Sequence, residues 1–457
     1  MRDTFWFLVS YFRTLWLRRR FRDRAALEAW QERRVRAHVA WVRARSPFYR
    51  DLWQELPDAA WRRFPVIEKR EMMTHFSRLN TLNVNREEAF AIATRAEETR
   101  DFTPRLGGVT VGLSSGTSGS RGLFLVSDEE RNGWAGTMLA KILPRPLWRG
   151  ARIAFFLRAN SNLYQSVNKG KVRLSYFDML QPLESHFSSL VELAPDVLIA
   201  PPQVLRRLAD ALLEGQLELK VEKIVSAAET LDPLDERVIM RAFGGASIHQ
   251  GYQATEGFLG ASCAHGTIHI NEDLVHVEPQ WLDEASGRFI PVVTDFRRRS
   301  QPIVRYRLGD ILTQRRTPCP CGSPFRAIES IEGRCDDVFH LAAADGSSRW
   351  RAVFPDFVRR AVMTASDELE RYLVEQESDG SVVVHLELSE PAPGQPARQG
   401  ARDAVEASVR DNLAALCRLL DAKLPRLVFS SAIPPLGQRK LRRVVSRFRP
   451  ENAAERA

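Results

Sequence analysis

Between residues 105 and 310, short β-rich runs alternate with stretches of helical spacing, and this alternation restricts the fold more than any other feature of the chain. "RIAFFL" is followed by a helical pattern from Leu183 to Leu193, "DVLIA" by one from Pro202 to Leu213, and "KIVSAA" by one from Pro233 to Phe243. Strands separated by helix-length segments predict βαβ units and a mostly parallel sheet, hence an α/β class. At 457 residues with 44% hydrophobic content, the chain can fill one large core and one smaller one.

Past Asp337 the texture becomes a small α+β pattern. "WRAVFPDFVRRAVM" reads as helix, "RYLVEQ" and "SVVVHLEL" as strands, Arg402 to Leu420 as helix and "RLVFSS" as strand, with the surface connection "SEPAPGQPARQG" among them. The expected organisation is an N-terminal helical segment over 1–60, a large multi-layer domain over 61–336 and a small mobile domain over 337–457. In the first, Leu27, Trp30, Val35, His38, Val39 and Val42 recur at helical intervals and "SPFY" acts as a breaker. No internal repeat is present.

The formal charge of +9 is concentrated at the start: residues 1–50 hold thirteen arginines against Asp3, Asp23, Glu28 and Glu32, leaving the remainder neutral. A nucleic-acid partner is therefore not indicated. Phe5, Leu8, Phe12, Leu15 and Trp16 fall near helical spacing among arginines. That pattern has two readings: a helix docked on the protein's own body, or a peripheral membrane contact through residues 1–24. No apolar run reaches membrane-spanning length and no cleavage site follows "FWFLVSYF", so a cytoplasmic location is expected.

In "LSSGTSGSRG", Leu113 to Gly122, the run after Leu113 has no side chain that could fill a core. Ser114, Ser115, Gly116, Thr117, Ser118 and Gly119 could instead turn backbone N–H groups and hydroxyls inward around an anion, with phosphate the natural occupant. The flanking "VTVGL" and "LFLVS" are strand-like, which predicts an ordered hairpin loop rather than a linker.

Four further stretches follow in order: "HQGYQATEG" (His249 to Gly257), "PIVRYRLGDI" (Pro302 to Ile311), "EGRCDDVF" (Glu332 to Phe339) and "PPLGQRKLRRVV" (Pro434 to Val445). Together the five resemble the adenylate-forming superfamily of acyl-CoA synthetases and adenylation domains. "SPFYR", "FPVIEKREM", "SAAETLDP" and "HINED" are most similar to its phenylacetate-CoA ligase branch.

The resemblance implies an enzyme that condenses a carboxylic acid, aromatic in that branch, with ATP to an acyl adenylate. The acyl group then passes to coenzyme A or to the phosphopantetheine of an acyl carrier protein. By this resemblance the Ser114 to Gly119 run holds the β- and γ-phosphates, Thr255 contacts the α-phosphate and Glu256 holds Mg²⁺. The competing reading of Glu256 is a carboxylate placed at a helix start. Asp310 would take the ribose hydroxyls, with Arg334 beside the ribose or phosphate, and Asp336 would be the hinge. Glu229 and Tyr252 belong to the nucleotide pocket, and Tyr252 or Phe258 could flank an aromatic acid. Lys440 would bridge the carboxylate and the α-phosphate. Two departures stand out: Arg121 occupies the region where a lysine commonly follows the loop, and Gln438 and Arg439 separate Gly437 from Lys440. A merely solvated basic tail is the alternative for that segment.

Cys319 and Cys321 form a C-x-C pair. With Cys263 and His269 they would make the Cys₃His set of a structural Zn²⁺ site, as some members of the resembled branch carry; His265 is the other candidate nitrogen ligand, and four unliganded side chains the remaining reading. A non-catalytic nucleotide-binding regulator and a membrane-associated scaffold are the alternative functions. The acid, the acceptor and the oligomeric state are not written in the sequence.

Overall fold

The computed structural model describes residues 2–101, 105–114, 121–157, 166–168, 170–244, 246, 248–389, 400–434 and 442–450. The chain divides into two compact units. The first comprises Met1–Leu231, Asp235–Leu308 and Leu312–Ser330; the second comprises Asp232–Leu234, Gly309–Ile311 and Ile331–Ala457.

The first unit opens with helices α1 (Arg2–Arg20), α2 (Arg24–Arg45) and α3 (Pro47–Leu52). The Asp23 carboxylate accepts from Ala26 N at 2.8 Å and so caps α2. Ser46 ends α2 and, with Pro47 in the first turn, starts α3. Thus "SPFY" breaks one helix only to begin the next. After α4 (Lys69–Thr74), α5 (Phe76–Leu79) and α6 (Arg86–Thr99), strands β1 (Thr110–Leu113) and β2 (Leu123–Val126) pair antiparallel as a separate two-stranded sheet. Helix α7 (Asp128–Ile142) begins at a capping box in which Ser127 and Glu130 satisfy each other's backbone N–H.

The large sheet follows. Strands β3 (Ala151–Leu157) and β4 (Val172–Asp178), helix α8 (Phe187–Leu193), β5 (Val197–Ala200), α9 (Pro202–Leu213), β6 (Lys223–Ala227), α10 (Pro233–Ala242) and β7 (Ile248–Ala254) carry the expected alternation. Strands β4, β3, β5, β6 and β7 are adjacent in that order and parallel throughout. The "VLIA" of β5 is buried at every position, as a strand covered on both faces must be. Phe156, Leu198 and Ile224 of the sheet pack with Leu205 and Leu208 of α9 and Ile239 of α10.

The other half of the sheet is antiparallel, which the expectation of mostly parallel strands did not capture. Strands β8 (Gly257–Ser262), β9 (Ile268–Ile270), β10 (Val275–Asp283), β11 (Arg288–Asp295), β12 (Ile303–Arg307), β13 (Asp310–Gln314) and β14 (Ala327–Arg334) give the order β10-β11-β13-β14-β9-β8-β7, with β12 also on β11. Short loops such as Cys263–Thr267 are the reason, since a hairpin needs few residues and a parallel crossover needs a dozen.

The second unit holds the hairpin of β15 (Phe339–Ala342) and β16 (Trp350–Val353). Helix α11 (Pro355–Met363), β17 (Leu369–Gln376), β18 (Val382–Leu388), α12 (Ala401–Leu419), β19 (Leu427–Ser430) and β20 (Val444–Ser446) follow. Its four-stranded sheet runs β19-β18-β17-β20. Val358 and Val362 of α11 and Val405, Val409 and Leu413 of α12 bury against Tyr372, Val374, Val384 and Leu386. The stretch expected as one helix, "WRAVFPDFVRRAVM", begins instead as a strand. Pro355 accounts for the switch, because it restricts Phe354 to extended backbone while fitting the first helical turn.

Helix α1 departs further from expectation. Phe7, Ser10, Tyr11, Thr14 and Leu17 are buried toward α7, where Gly136 permits the approach: a Cβ there would lie 2.2 Å from the Phe7 carbonyl oxygen. The stripe singled out in the sequence faces the other way except at Leu15, which is half-buried. Phe5, Leu8, Phe12 and Trp16 are exposed, together with Val9, so the docked face is a different set of residues. Small hydroxyl residues Ser10 and Thr14 made that face look polar, yet close helix packing favours them. Among the described residues no helix is long and apolar enough to cross a membrane.

Candidate active site

Parallel strands expose their carboxyl ends along one edge, and ligands of open α/β sheets bind there. The chain leaving β5 supplies Gln203, the chain leaving β6 supplies Glu229, and the two are bonded, Nε2 to Oε1, at 2.9 Å. Strand β7 places Tyr252 and ends at Ala254. Ala254 pairs with Gly257 of β8, so Thr255 and Glu256 form the two-residue turn of a hairpin. Glu256 is therefore not at a helix start, and the dipole-partner reading falls. Thr255 Oγ1 donates to Glu256 Oε2 at 2.9 Å. Gly257 is required, since a Cβ there would lie 2.9 Å from Asp295 Oδ2.

The glycine-hydroxyl run sits between β1 and β2, as its flanks suggested. Ser114 N donates to the Gly122 carbonyl at 2.7 Å, and Gly122 N donates back to Ser114 Oγ at 2.8 Å, which closes the base of the loop. Lys69 Nζ also reaches Ser114 Oγ, at 3.2 Å. A Cβ on Gly122 would stand 2.9 Å from Lys69 Cε, so glycine makes room for that ammonium stem. Ser115, Gly116, Thr117, Ser118 and Gly119 lie outside the described residues. Arg121 pairs with Glu97 of α6, at 2.6 Å to Oε1, rather than extending the loop.

One side chain ties these two places together. Arg298 donates through Nη1 to the Thr255 carbonyl at 3.1 Å and through Nη2 to the Leu125 carbonyl of β2 at 3.2 Å. The planar guanidinium suits this task because its donors are fixed in a fork. Asp295 orders the segment by accepting from Arg297 N at 2.8 Å and Arg298 N at 3.2 Å. Burial pushes the Asp295 carboxyl up to about 6, against the opposing influence of Arg298 and those N–H groups. Gln301 completes the support, accepting from Leu125 N and donating to the Leu123 carbonyl. Lys69, Asp295, Arg298 and Gln301 were absent from the sequence-derived set; "KREM" and "DFRRRSQ" carry no spacing that marks them.

In the second unit, Asp310 and Arg334 are brought together, Oδ1 to Nη1 at 3.1 Å. Gly309 allows it, because a Cβ would lie 2.7 Å from Arg334 Nη2. Asp336 lies in a short 3₁₀ turn, and its neighbour Asp337 pairs with Arg442 at 2.7 Å. Burial pushes the Asp337 carboxyl up to about 6 despite Arg442. Arg443 Nη1 donates to the Tyr372 carbonyl at 3.0 Å, and β20 then joins β17 in parallel. Lys440 is outside the described residues; of the basic residues trailing it, Arg442 and Arg443 are held by these contacts.

Cys263, His269, Cys319 and Cys321 converge in the first unit, with their ligand atoms all within 4.8 Å of one another. Cys263 Sγ lies 3.6 Å from Cys319 Sγ, and Cys321 Sγ lies 3.4 Å from His269 Nε2. A tetrahedron of zinc radii has edges of about 3.8 Å between sulfurs and about 3.5 Å between sulfur and nitrogen. The donor set therefore fits Zn²⁺. His269 Nδ1 bonds the Phe325 carbonyl at 2.9 Å, which orients Nε2 toward the sulfurs. His265 is exposed and outside the cluster. Burial pushes the Cys319 thiol up, but hydrogen bonds led by the Thr267 hydroxyl outweigh it and bring the group down to about 6. Burial raises Cys321 to about 11, with the neighbouring sulfurs adding to it. Strand β8 runs from this cluster to the Thr255–Glu256 turn.

No protein-family model matches the chain. The crystal structure of a 2-hydroxyisobutyryl-CoA ligase in the postadenylation state, in complex with 2-HIB-AMP, superposes with a TM-score of 0.66 at 18% identity, covering 91% of this chain and 88% of that one. The chain has the adenylate-forming fold. The anthranilate CoA ligase AuaEII in complex with anthranoyl-AMP aligns at a TM-score of 0.50 and 13% identity, over 73% of this chain and 66% of that one. In sequence, a stretch of 152 residues is 28% identical to an indoleacetate–lysine synthetase from Pseudomonas savastanoi, covering 32% of this chain and 36% of that protein's length. Within this adenylate-forming fold, the "HINED" segment is structural. Asn271 Nδ2 bonds the Phe258 carbonyl, Glu272 pairs with Arg24 of α2 at 2.6 Å, and Asp273 pairs with Lys141 of α7 at 3.0 Å.

Proposed function

We propose that the chain activates a carboxylic acid with ATP and transfers the acyl group to a thiol. A carboxylate is a poor acyl donor because oxide would have to leave. Attack of its oxygen on the α-phosphorus breaks the bond to the β-phosphate and releases pyrophosphate; the thiol sulfur then attacks the acyl carbon, AMP leaves and the thiol proton passes to solvent. Anionic partners must be held together for the first step, which calls for donors and cations fixed beforehand.

The observation that carries this reading is the Arg298 fork, which holds the hairpin of the glycine-hydroxyl run and the Thr255–Glu256 turn on one guanidinium. Ser114 to Gly119 would take the β- and γ-phosphates, and Thr255 the α-phosphate. Glu256 would hold Mg²⁺, an oxygen-seeking cation that neutralises phosphate charge. Glu229 and Tyr252 would line the nucleotide pocket, Asp310 with Arg334 would take the ribose, and Lys440 of the smaller domain, 337–457, would meet the carboxylate. Cys263, His269, Cys319 and Cys321 would hold Zn²⁺ as a structural brace. The phenylacetate-CoA ligase-like motifs favour an aromatic acid, and AuaEII, solved with anthranoyl-AMP, supports that choice.

The experiment is acid-dependent exchange of labelled pyrophosphate into ATP over a panel of aromatic and aliphatic acids. Exchange with at least one acid, lost in Glu256→Gln, is expected. Measurable ATP binding without exchange for any acid would replace this reading with that of a regulatory nucleotide binder. A second acceptor is supported by the stretch similar to indoleacetate–lysine synthetase: an amine in place of the thiol. Mass spectrometry of products formed with coenzyme A, a phosphopantetheine carrier or lysine distinguishes the acceptors.

A further inference from the structure

We propose that α1 is a docking surface for an anionic lipid membrane. At 3.6 residues per turn, Leu8, Phe12, Phe5, Trp16 and Val9 fall within about 100° of arc, opposite the face that packs on α7. Their exposures run from 37% to 58%. Scattered exposed apolar residues need no explanation, but five in one continuous row on a single helix do. The row extends over about 16 Å, a length suited to lying in a membrane interface rather than crossing it.

Charge identifies the occupant. Residues 2–24 carry seven arginines against Asp3 and Asp23; two of the seven turn inward, Arg24 to Glu272 and Arg13 toward Asp273. Arg18, Arg19 and Arg20 are exposed just past the apolar row, and the Arg20 guanidinium lies 4.5 Å from the centre of the Trp16 ring. Aromatic side chains beside arginines match the headgroup zone, where the rings settle among acyl carbons and the cations meet lipid phosphates. A second copy of this chain fits less well. It would bring the same positive charge to the contact, and the five residues offer only on the order of 500 Å², short of the roughly 800 Å² each partner gives a standard interface. The inner face is independently anchored, since Thr14 Oγ1 donates to Thr137 Oγ1 at 3.3 Å and Leu147 N donates to Tyr11 Oη at 3.1 Å. The outer row is therefore available without unfolding the helix.

The full chain is sedimented with phosphatidylcholine vesicles and with mixed phosphatidylcholine–phosphatidylglycerol vesicles. Binding to the mixed vesicles, and at least tenfold weaker binding to phosphatidylcholine alone, is expected. Replacing Arg18, Arg19 and Arg20 together by Gln should weaken binding about a hundredfold, since each such charge near a membrane surface contributes roughly fivefold. Phe12→Glu with Trp16→Glu should abolish it. Both variants change only exposed side chains, and unchanged melting curves and pyrophosphate exchange establish that they remain folded. Absence of binding by the unaltered chain, or binding that neither variant weakens, overturns the proposal. So does a dimer in sedimentation velocity that Phe12→Glu with Trp16→Glu dissociates while vesicles bind neither form.

Discussion

Replacing Lys141 by Met tests whether the "HINED" aspartate is a structural anchor. Lys141 Nζ lies 3.0 Å from Asp273 Oδ1, with side-chain exposures of 7% and 0%. Burial pulls the Lys141 ammonium below its ordinary value, and Asp273 opposes that pull. At an effective dielectric constant of 20, a separation of 3 Å corresponds to about 5 kcal/mol of attraction, largely offset by taking both charges out of water. Lys141→Met removes the attraction and leaves the carboxylate's desolvation in place, which typically costs about 3–5 kcal/mol. Arg13 and Arg297 also act on Asp273, which places the expected loss near 3 kcal/mol. Urea unfolding followed by tryptophan fluorescence should show the midpoint falling by up to about 1 M at unchanged slope. The double variant, with Asp273→Asn added, should recover at least half of the loss, because no charge is left stranded. A single variant within about 0.5 kcal/mol of the parent, or a double variant no better than the single, would refute the anchor.

Four further outcomes are expected. Asp295 is raised to about 6 by burial, so the native state keeps a proton that the unfolded chain releases near pH 4. Its contribution is full below the unfolded value and is lost as pH rises to about 6, an effect of about 3 kcal/mol. Asp295→Asn should therefore gain on the parent by roughly that amount between pH 4 and pH 7 in unfolding titrations, and parallel profiles would contradict it. Cys319→Ser should lower bound zinc, measured by mass spectrometry of the purified chain, from about one per chain to under a tenth. Equal metal content in both proteins would count against the site. Arg298→Lys keeps the charge but cannot span both carbonyls, so exchange activity should fall about 10- to 100-fold. Arg121→Ala, which severs only the Glu97 pair, should stay within about twofold.

The parallel half of the sheet was legible because buried strands such as "DVLIA" are continuous apolar runs flanked by helices of clear period. The convergence of the three cysteines and His269 was legible because few other roles would unite them. The antiparallel half was not, since "GFLGAS" and "IHI" are too short for periodicity to speak. The face of α1 was misjudged because large apolar side chains were weighed above Ser10 and Thr14. Packing against Gly136 reverses that weighting. Arg298 was invisible for a different reason: it acts by spanning two backbone carbonyls, and a bond to backbone leaves no complementary residue in the sequence to find.

That shared guanidinium couples two turns mechanically. A loop insertion that displaced the β1–β2 hairpin would drag the Glu256 carboxylate with it, or break a contact to avoid doing so. Variation of this scaffold should therefore proceed by exchanging side chains on the two turns more readily than by lengthening either one.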